Sequence, residues 1–257
     1  MTTRPATHTE LAGSTPDRID VRGADLVNEL MGKLTFTEMF LFHLLGRRPT
    51  ALQVKITDAV LVAIMEHGLV PSVIASRLTL LGAPESYQGA IAAGLLGVGD
   101  RFAGTASRCA LVLDEIVAAP PAERAQAAAA AVKAHRAQHI PLPGFGHPTH
   151  KHSDPRVAKL IEIARAAGAQ GQYIEALGLL ESAVTQSLGK RIPTNVSAAI
   201  GAGLREAGIP AQAIRGAVLT ARCAGLVGHL LEESANPAAD AMWKAVERAI
   251  PYEHPER

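Results

Sequence analysis

Aromatic side chains are scarce: they make up 4% of the chain, one Trp, three Tyr and five Phe in 257 residues. Ala, Leu, Gly and Val dominate instead, as in tightly packed helices. Net charge is also lacking. The formal balance is +1 and Lys and Arg form no extended run, which argues against nucleic acid as a partner. The two cysteines, Cys109 and Cys223, lie far apart in apolar contexts. They read as buried thiols of a reducing cytosol rather than a disulfide framework. Residues 1–20 hold no apolar core of a secretory signal, and no uninterrupted stretch approaches the ~18 apolar residues that span a bilayer. A soluble, cytoplasmic globular protein with no membrane partner is expected, built as one large domain or two small ones.

No convincing alternation of period two and no repeat of solenoid length is found, so the fold class is predicted to be all-α. Thr35-Phe36-Thr37-Glu38 has the spacing of a capping box and predicts a helix through Leu45, ended by Gly46. Thr50 and Gln53 repeat the device ahead of a helix to about Glu66, which His67-Gly68 closes. Further helices are predicted over 72–81, 85–98, 106–118, 122–137, 155–167, 171–188, 194–207, 210–232 and 236–249, punctuated by glycine and proline. Residues 1–20, rich in Thr, Pro and charge, are expected to be a flexible arm.

Between two Ala-rich helical segments stands Pro143-Gly144-Phe145-Gly146-His147-Pro148-Thr149-His150-Lys151-His152-Ser153-Asp154-Pro155-Arg156. Gly144, Gly146 and Pro148 exclude a regular helix, which makes this a shaped loop that a ligand could approach closely. Ser153 or Asp154 then caps a helix with Pro155 at its first position. Arg156 is thereby placed at a helix N-terminus, where backbone N–H groups and the dipole favour an anion. An imidazole at His147 facing that guanidinium suits a carboxylate-bearing substrate with a carbonyl or hydroxyl to be worked on. His147, His150 and His152 are the right type for zinc, but no fourth ligand has matching spacing, so no metal is expected. His150 and His152 read as solvated loop residues. Gly97-Val98-Gly99 lacks the preceding strand and third glycine of a dinucleotide fingerprint and reads as a helix junction. On spacing alone, Ser197 is a cap or core serine, and His67 could be a cap interacting with a helix dipole.

Four segments, taken in order, resemble the citrate synthase superfamily. They are Glu66-His67-Gly68, Gly99-Asp100-Arg101-Phe102-Ala103-Gly104, Gly144-Phe145-Gly146-His147 with Asp154-Pro155-Arg156, and Arg222-Cys223-Ala224-Gly225-Leu226-Val227-Gly228-His229. The resemblance runs from about Val27 to Glu233. Phe102 makes the chain more similar to the citryl-CoA lyase module of ATP-citrate lyase, since citrate synthases have a catalytic His there. The resemblance implies an all-helical subunit that dimerises, with its active site in a cleft between two domains. The large domain would be 21–104 with 196–257, and the small one the insertion 105–195. It further implies that His147 and His67 face a keto-acid unit whose carboxylates Arg156 and Arg222 hold, with Phe102 beside them. Coenzyme A would lie along the loop through Gly144, Phe145, Gly146 and Lys151.

One position departs from the family pattern. The catalytic Asp of an Asn-Val-Asp-Gly-like segment is replaced in Asn195-Val196-Ser197-Ala198. That acid exchanges the proton on the acetyl carbon, a task a serine hydroxyl cannot perform at neutral pH without a neighbouring base. Asp100 or Glu66 could serve, or Ser197 could position a water. The expected activity is cleavage of a carbon–carbon bond in citryl-CoA or a related 3-hydroxy-acid CoA thioester. The alternatives are citrate-synthase-type condensation and, in another class, a catalytically weak CoA- or acid-binding regulatory subunit.

Overall fold

The structure is a computed structural model that describes residues 7–146 and 153–255. It is 66% helix and 5% strand, in keeping with the all-α expectation. Most of the strand residues fall where an arm was expected. Strands β1 (Ala12–Thr15), β2 (Arg18–Val21) and β3 (Ala24–Asp25) pair antiparallel in the order β1-β2-β3. Val21 faces Ala24 across a two-residue turn in which Arg22 and Gly23 have φ of 50° and 79°. Positive φ at both positions gives a turn whose twist matches the strands. Arg22 is held there by donating from Nε to the His43 carbonyl at 3.0 Å. A wide helical turn, Leu26–Leu30, then leads into the helices, capped by Asp25, which accepts from the Val27 and Asn28 N–H groups.

The first helices begin as their sequence signals require. α1 (Phe36–Leu45) and α2 (Ala51–Met65) each carry a complete capping box, Thr35 with Glu38 and Thr50 with Gln53, and Gly46 closes α1 in the left-handed conformation. Pro71 opens α3 (Pro71–Gly82), followed by α4 (Tyr87–Leu96) and α5 (Gly104–Ala118). Pro120-Pro121 turn the chain into α6 (Arg124–Ala137), and α7 (Pro155–Ala166) and α8 (Gln172–Leu188) follow. The last three are α9 (Val196–Glu206), α10 (Ala211–Ala235) and α11 (Ala239–Ala249).

Two apolar clusters fill most of the interior, and α9 divides them. Its Ala199, Ile200 and Leu204 join Leu41, Val60, Leu160, Ile214 and Val218, drawn from α1, α2, α7 and α10. Its Ala198 and Ala202 join Leu113, Ile116, Val132, Leu177 and Leu180, drawn from α5, α6 and α8. Although α7 lies within 105–195, its buried side chains belong to the first cluster. At roughly 1.5–3 kcal/mol for each large aliphatic side chain fully buried, these clusters are the main source of stability. Small residues allow close approach. A Cβ at Gly201 would sit 3.0 Å from the Ala106 carbonyl oxygen and 3.1 Å from the Ala110 nitrogen, so α5 and α9 touch backbone to backbone.

The expectation of no membrane-length segment needs amendment. α10 has 25 residues and reaches a mean hydropathy of 1.2 over 18 of them, enough by length and composition to cross a bilayer. In this fold it packs against α2, α3, α4, α5 and α9, and it buries Arg222 and Glu233.

Candidate active site

Helices α7 and α9 begin side by side because one carboxylate serves both. Asp154, 3% exposed, accepts from the Arg156 backbone N–H at its own helix start and, at 2.9 Å, from the Val196 N–H at the start of α9. Arg156 folds back on the same carboxylate, donating from Nε to Oδ1 and from Nη2 to Oδ2, each at 2.9 Å. Burial pushes the Asp154 carboxyl up, but these bonds outweigh it and hold the group below the usual Asp range. Of the two cap candidates, Asp154 is therefore the one used. Arg156 stands at the helix N-terminus as expected, and two of its nitrogens are bonded to Asp154. Beside it, α2 and α7 enclose an apolar groove of about 270 Å³, lined by Lys55, Val62, Arg156, Lys159, Leu160 and Ile163 among others. His67, Phe102, Ser197 and Arg222 do not line that groove.

The glycine loop is laced to the segment before α9. The Gly146 N–H donates to the Pro193 carbonyl at 2.8 Å, the Asn195 N–H to the Gly144 carbonyl at 2.9 Å, and Asn195 Nδ2 to the Gly146 carbonyl at 2.7 Å. Gly144 has φ of 89°, and a Cβ there would lie 2.9 Å from both Ala198 Cβ and Cys109 Sγ. The close approach that the loop's glycines suggested is thus made at Gly144 by the protein's own α5 and α9. Phe145 packs against the second cluster. Burial pushes the Cys109 thiol up to about 12, so it is a neutral packing group. Asn195 also caps α9 by accepting from the Ser197 N–H at 3.0 Å. Ser197 is half-buried in the first turn of α9, and its hydroxyl bonds no other described residue.

A second group gathers where α2 ends. Glu66 Oε1 accepts from the His67 and Gly68 N–H groups, and His67 itself is exposed. From α10, Arg222 Nη1 donates to the Ile64 and Met65 carbonyls at 3.3 and 3.0 Å. Burial pulls the Arg222 guanidinium below its ordinary value, and the Glu66 charge opposes that. Farther along, Asp100 Oδ1 accepts from Arg215 Nη1 at 2.6 Å, which ties the Asp100–Ala103 turn to α10. Phe102 on that turn is half exposed, with the Arg101 guanidinium 5.9 Å from its ring centre.

The expected residues that are described therefore form two neighbourhoods, Gly144 to Gly146 with Arg156 and Ser197, and His67 with Arg222, while Phe102 stands on the Asp100–Ala103 turn. Helix α2 links them, facing α7 along its length and holding His67 beyond its end. His147 and Lys151, with His150 and His152, lie outside the described residues. Among the described residues no cluster of three or more His, Cys, Asp or Glu side chains could hold a metal ion. Sequence reasoning did not single out Asn195 or His229, though both stand in the segments it quoted. It also missed the second bond of Asp154, which joins residues 42 positions apart and has no local signal.

The model of the citrate synthase C-terminal domain matches residues 18–245. The chain belongs to the citrate synthase family. It is 25% identical over 224 residues to citrate synthase 2 of Bacillus subtilis (strain 168), a match covering 84% of this chain and 58% of that protein. The chain thus spans somewhat over half the length of this curated relative. Its fold is similar to the citryl-CoA lyase of Hydrogenobacter thermophilus, with a TM-score of 0.85 and 27% identity over 98% of this chain and 96% of that one. The fold also matches an ATP citrate lyase of Methanosaeta concilii in complex with (3S)-citryl-CoA. There the TM-score is 0.73 at 19% identity, over 100% of this chain and 43% of that one.

Proposed function

We propose that this citrate synthase family protein is a CoA-thioester carbon–carbon lyase acting on citryl-CoA or a related 3-hydroxy-acid thioester. The observation that carries the reading is the similarity to a citryl-CoA lyase over nearly the whole of both chains. In the proposed reaction His147 accepts the proton of the tertiary hydroxyl, and the electron pair of the O–H bond forms the new carbonyl as the neighbouring C–C bond breaks. His67 polarises the nascent carbonyl. Arg156 and Arg222 fix the carboxylates of the departing keto acid. The electron pair of the broken bond passes to the thioester as an enolate, stabilised by backbone N–H groups of the glycine loop. A proton returned to the α-carbon then completes the acyl-CoA. Positioned acid–base catalysis contributes about 10²–10⁴-fold, so its supply at Ser197 decides the rate.

Coenzyme A is assigned to the loop through Gly144, Phe145, Gly146 and Lys151, and Phe102 to the wall beside the keto acid. We also propose a homodimer, which a sedimentation measurement tests. Support comes from the exposed Phe36, Leu44 and Val62 on α1 and α2.

One observation favours a second reading, a CoA- or acid-binding subunit without turnover. The Ser197 hydroxyl has no described carboxylate bonded to it, and nearby Asp154 already accepts from Arg156 and Val196. The condensation is the same bond formed in reverse. Purified protein incubated with citryl-CoA and related hydroxyacyl-CoAs should release acyl-CoA and keto acid in equal amounts. Tight thioester binding with no product from any of them would establish the second reading instead.

A further inference from the structure

Three residues on one face of α10 grip the end of α2. Arg222 bonds its last carbonyls, and a Cβ at Gly225 would run into the Met65 carbonyl oxygen. His229 Nε2 lies 2.9 Å from Glu66 Oε2. The spacing of three and four residues puts all three groups on adjacent turns of one helix face. Gly225 thereby lets the α10 backbone come close enough for the flanking side chains to reach. We infer that His229 is a positioning residue for His67: it holds the Glu66 carboxylate from which the His67 and Gly68 backbone N–H groups hang. This inference rests on the proposed role of His67 toward the substrate.

The hydrogen-bond arithmetic fixes the ring. Arg77 Nη2 stands 2.9 Å from His229 Nδ1, and a guanidinium only donates, so Nδ1 is the lone-pair side. The ring proton therefore belongs on Nε2, toward Glu66. That contact is short but bent, an ion–dipole contact rather than an in-line hydrogen bond. Arg77, 2% exposed, is itself held by Glu232 and by Glu233, the latter at 2.8 Å. Glu233 in turn accepts from the Ala238 and Ala239 N–H groups at the start of α11. A chain of fixed donors and acceptors thus runs from α11 through α10 and α3 to the turn that carries His67. Burial pushes the Glu66 carboxyl up, but His229 and the two backbone N–H groups outweigh it and leave the group below the usual Glu range.

His229→Gln and His229→Asn separate the two halves of this ring. The Gln amide can donate from the Nε2 position, whereas Asn can only accept from Arg77. On the labelled protein, amide exchange at His67 and Gly68 should quicken about tenfold in H229N, because the Glu66 carboxylate loses the ring dipole that fixes it, and stay near wild type in H229Q. Citryl-CoA cleavage should lose about 10- to 100-fold in kcat in H229N with little change in KM, and H229Q should recover it. Unchanged exchange in H229N, or the same effect in both variants, would overturn the inference. Glu66→Gln should reproduce H229N, because its amide meets the Nε2 proton donor to donor. It decides the matter if the His229 variants do not fold, with unchanged exchange again counting against the inference. If the wild-type protein leaves citryl-CoA intact, the proposed activity falls while the exchange result still tests the role of His229.

Discussion

Asp154 and Val196 stand 42 positions apart in the chain, yet Asp154 Oδ2 accepts the Val196 N–H at 2.9 Å. One buried carboxylate thus fixes the starts of two helices, α7 with Arg156 and α9 with Ser197. Asp154→Asn keeps a cap oxygen but removes the charge that Arg156 pairs with. A loss of about 1.5–3 kcal/mol is expected, the range for hydrogen bonds to charged groups. For a chain of this size that lowers the melting temperature by roughly 5–10 °C, readable by thermal melts against wild type.

That bond also marks where the sequence stopped being informative. The capping boxes of α1 and α2 are local patterns, satisfied within four residues of chain, and both form as read. Gly46, Pro71 and Pro155 mark helix boundaries for equally local reasons. The small sheet escaped because β1 is exposed throughout and β2 buries only Val21, leaving little apolar alternation to detect. The contacts of Asp154 with Val196 and of His229 with Glu66 depend on how helices pack, and no spacing within one segment encodes them. Gly144 was legible as a special backbone position. What fills the space beside it, Cys109 and Ala198, was not.

The pH dependence of stability has a definite sign. Asp154 titrates below its ordinary 3.8 in the folded protein, and Glu66 and Glu233 below their ordinary 4.5. The unfolded chain therefore takes up protons first as pH falls. The stabilisation is fully present above those ordinary values and is lost as pH falls through the lowered ones. Urea midpoints between about pH 5 and 3 should drop steeply for wild type and less steeply for Asp154→Asn and Glu233→Gln. An equally steep drop in both variants would mean that other groups carry the acid sensitivity.

Gly144→Ala meets two obstacles at once, a left-handed backbone and a Cβ pressed on Cys109 and Ala198. Together they should cost roughly 2–4 kcal/mol. Gly178→Ala, on α8 with open space around its Cβ, is the control and should be near neutral or slightly stabilising. Denaturant unfolding of the two variants side by side checks the contrast.

Ser197→Asp places a carboxylate in the first turn of α9, where the helix N-terminus favours it. If that position handles the proton on the acyl carbon, cleavage of citryl-CoA should rise by about tenfold or more. A folded variant with no gain would show that the proton is handled elsewhere.

The most direct measurement is the fate of citryl-CoA incubated with the wild-type protein in heavy water. Carbon–carbon cleavage through an enolate predicts acetyl-CoA carrying one deuterium on its methyl group, formed in step with oxaloacetate. Citryl-CoA and the related hydroxyacyl-CoAs all recovered intact, or only hydrolysed to the free acid and coenzyme A, would contradict the lyase assignment.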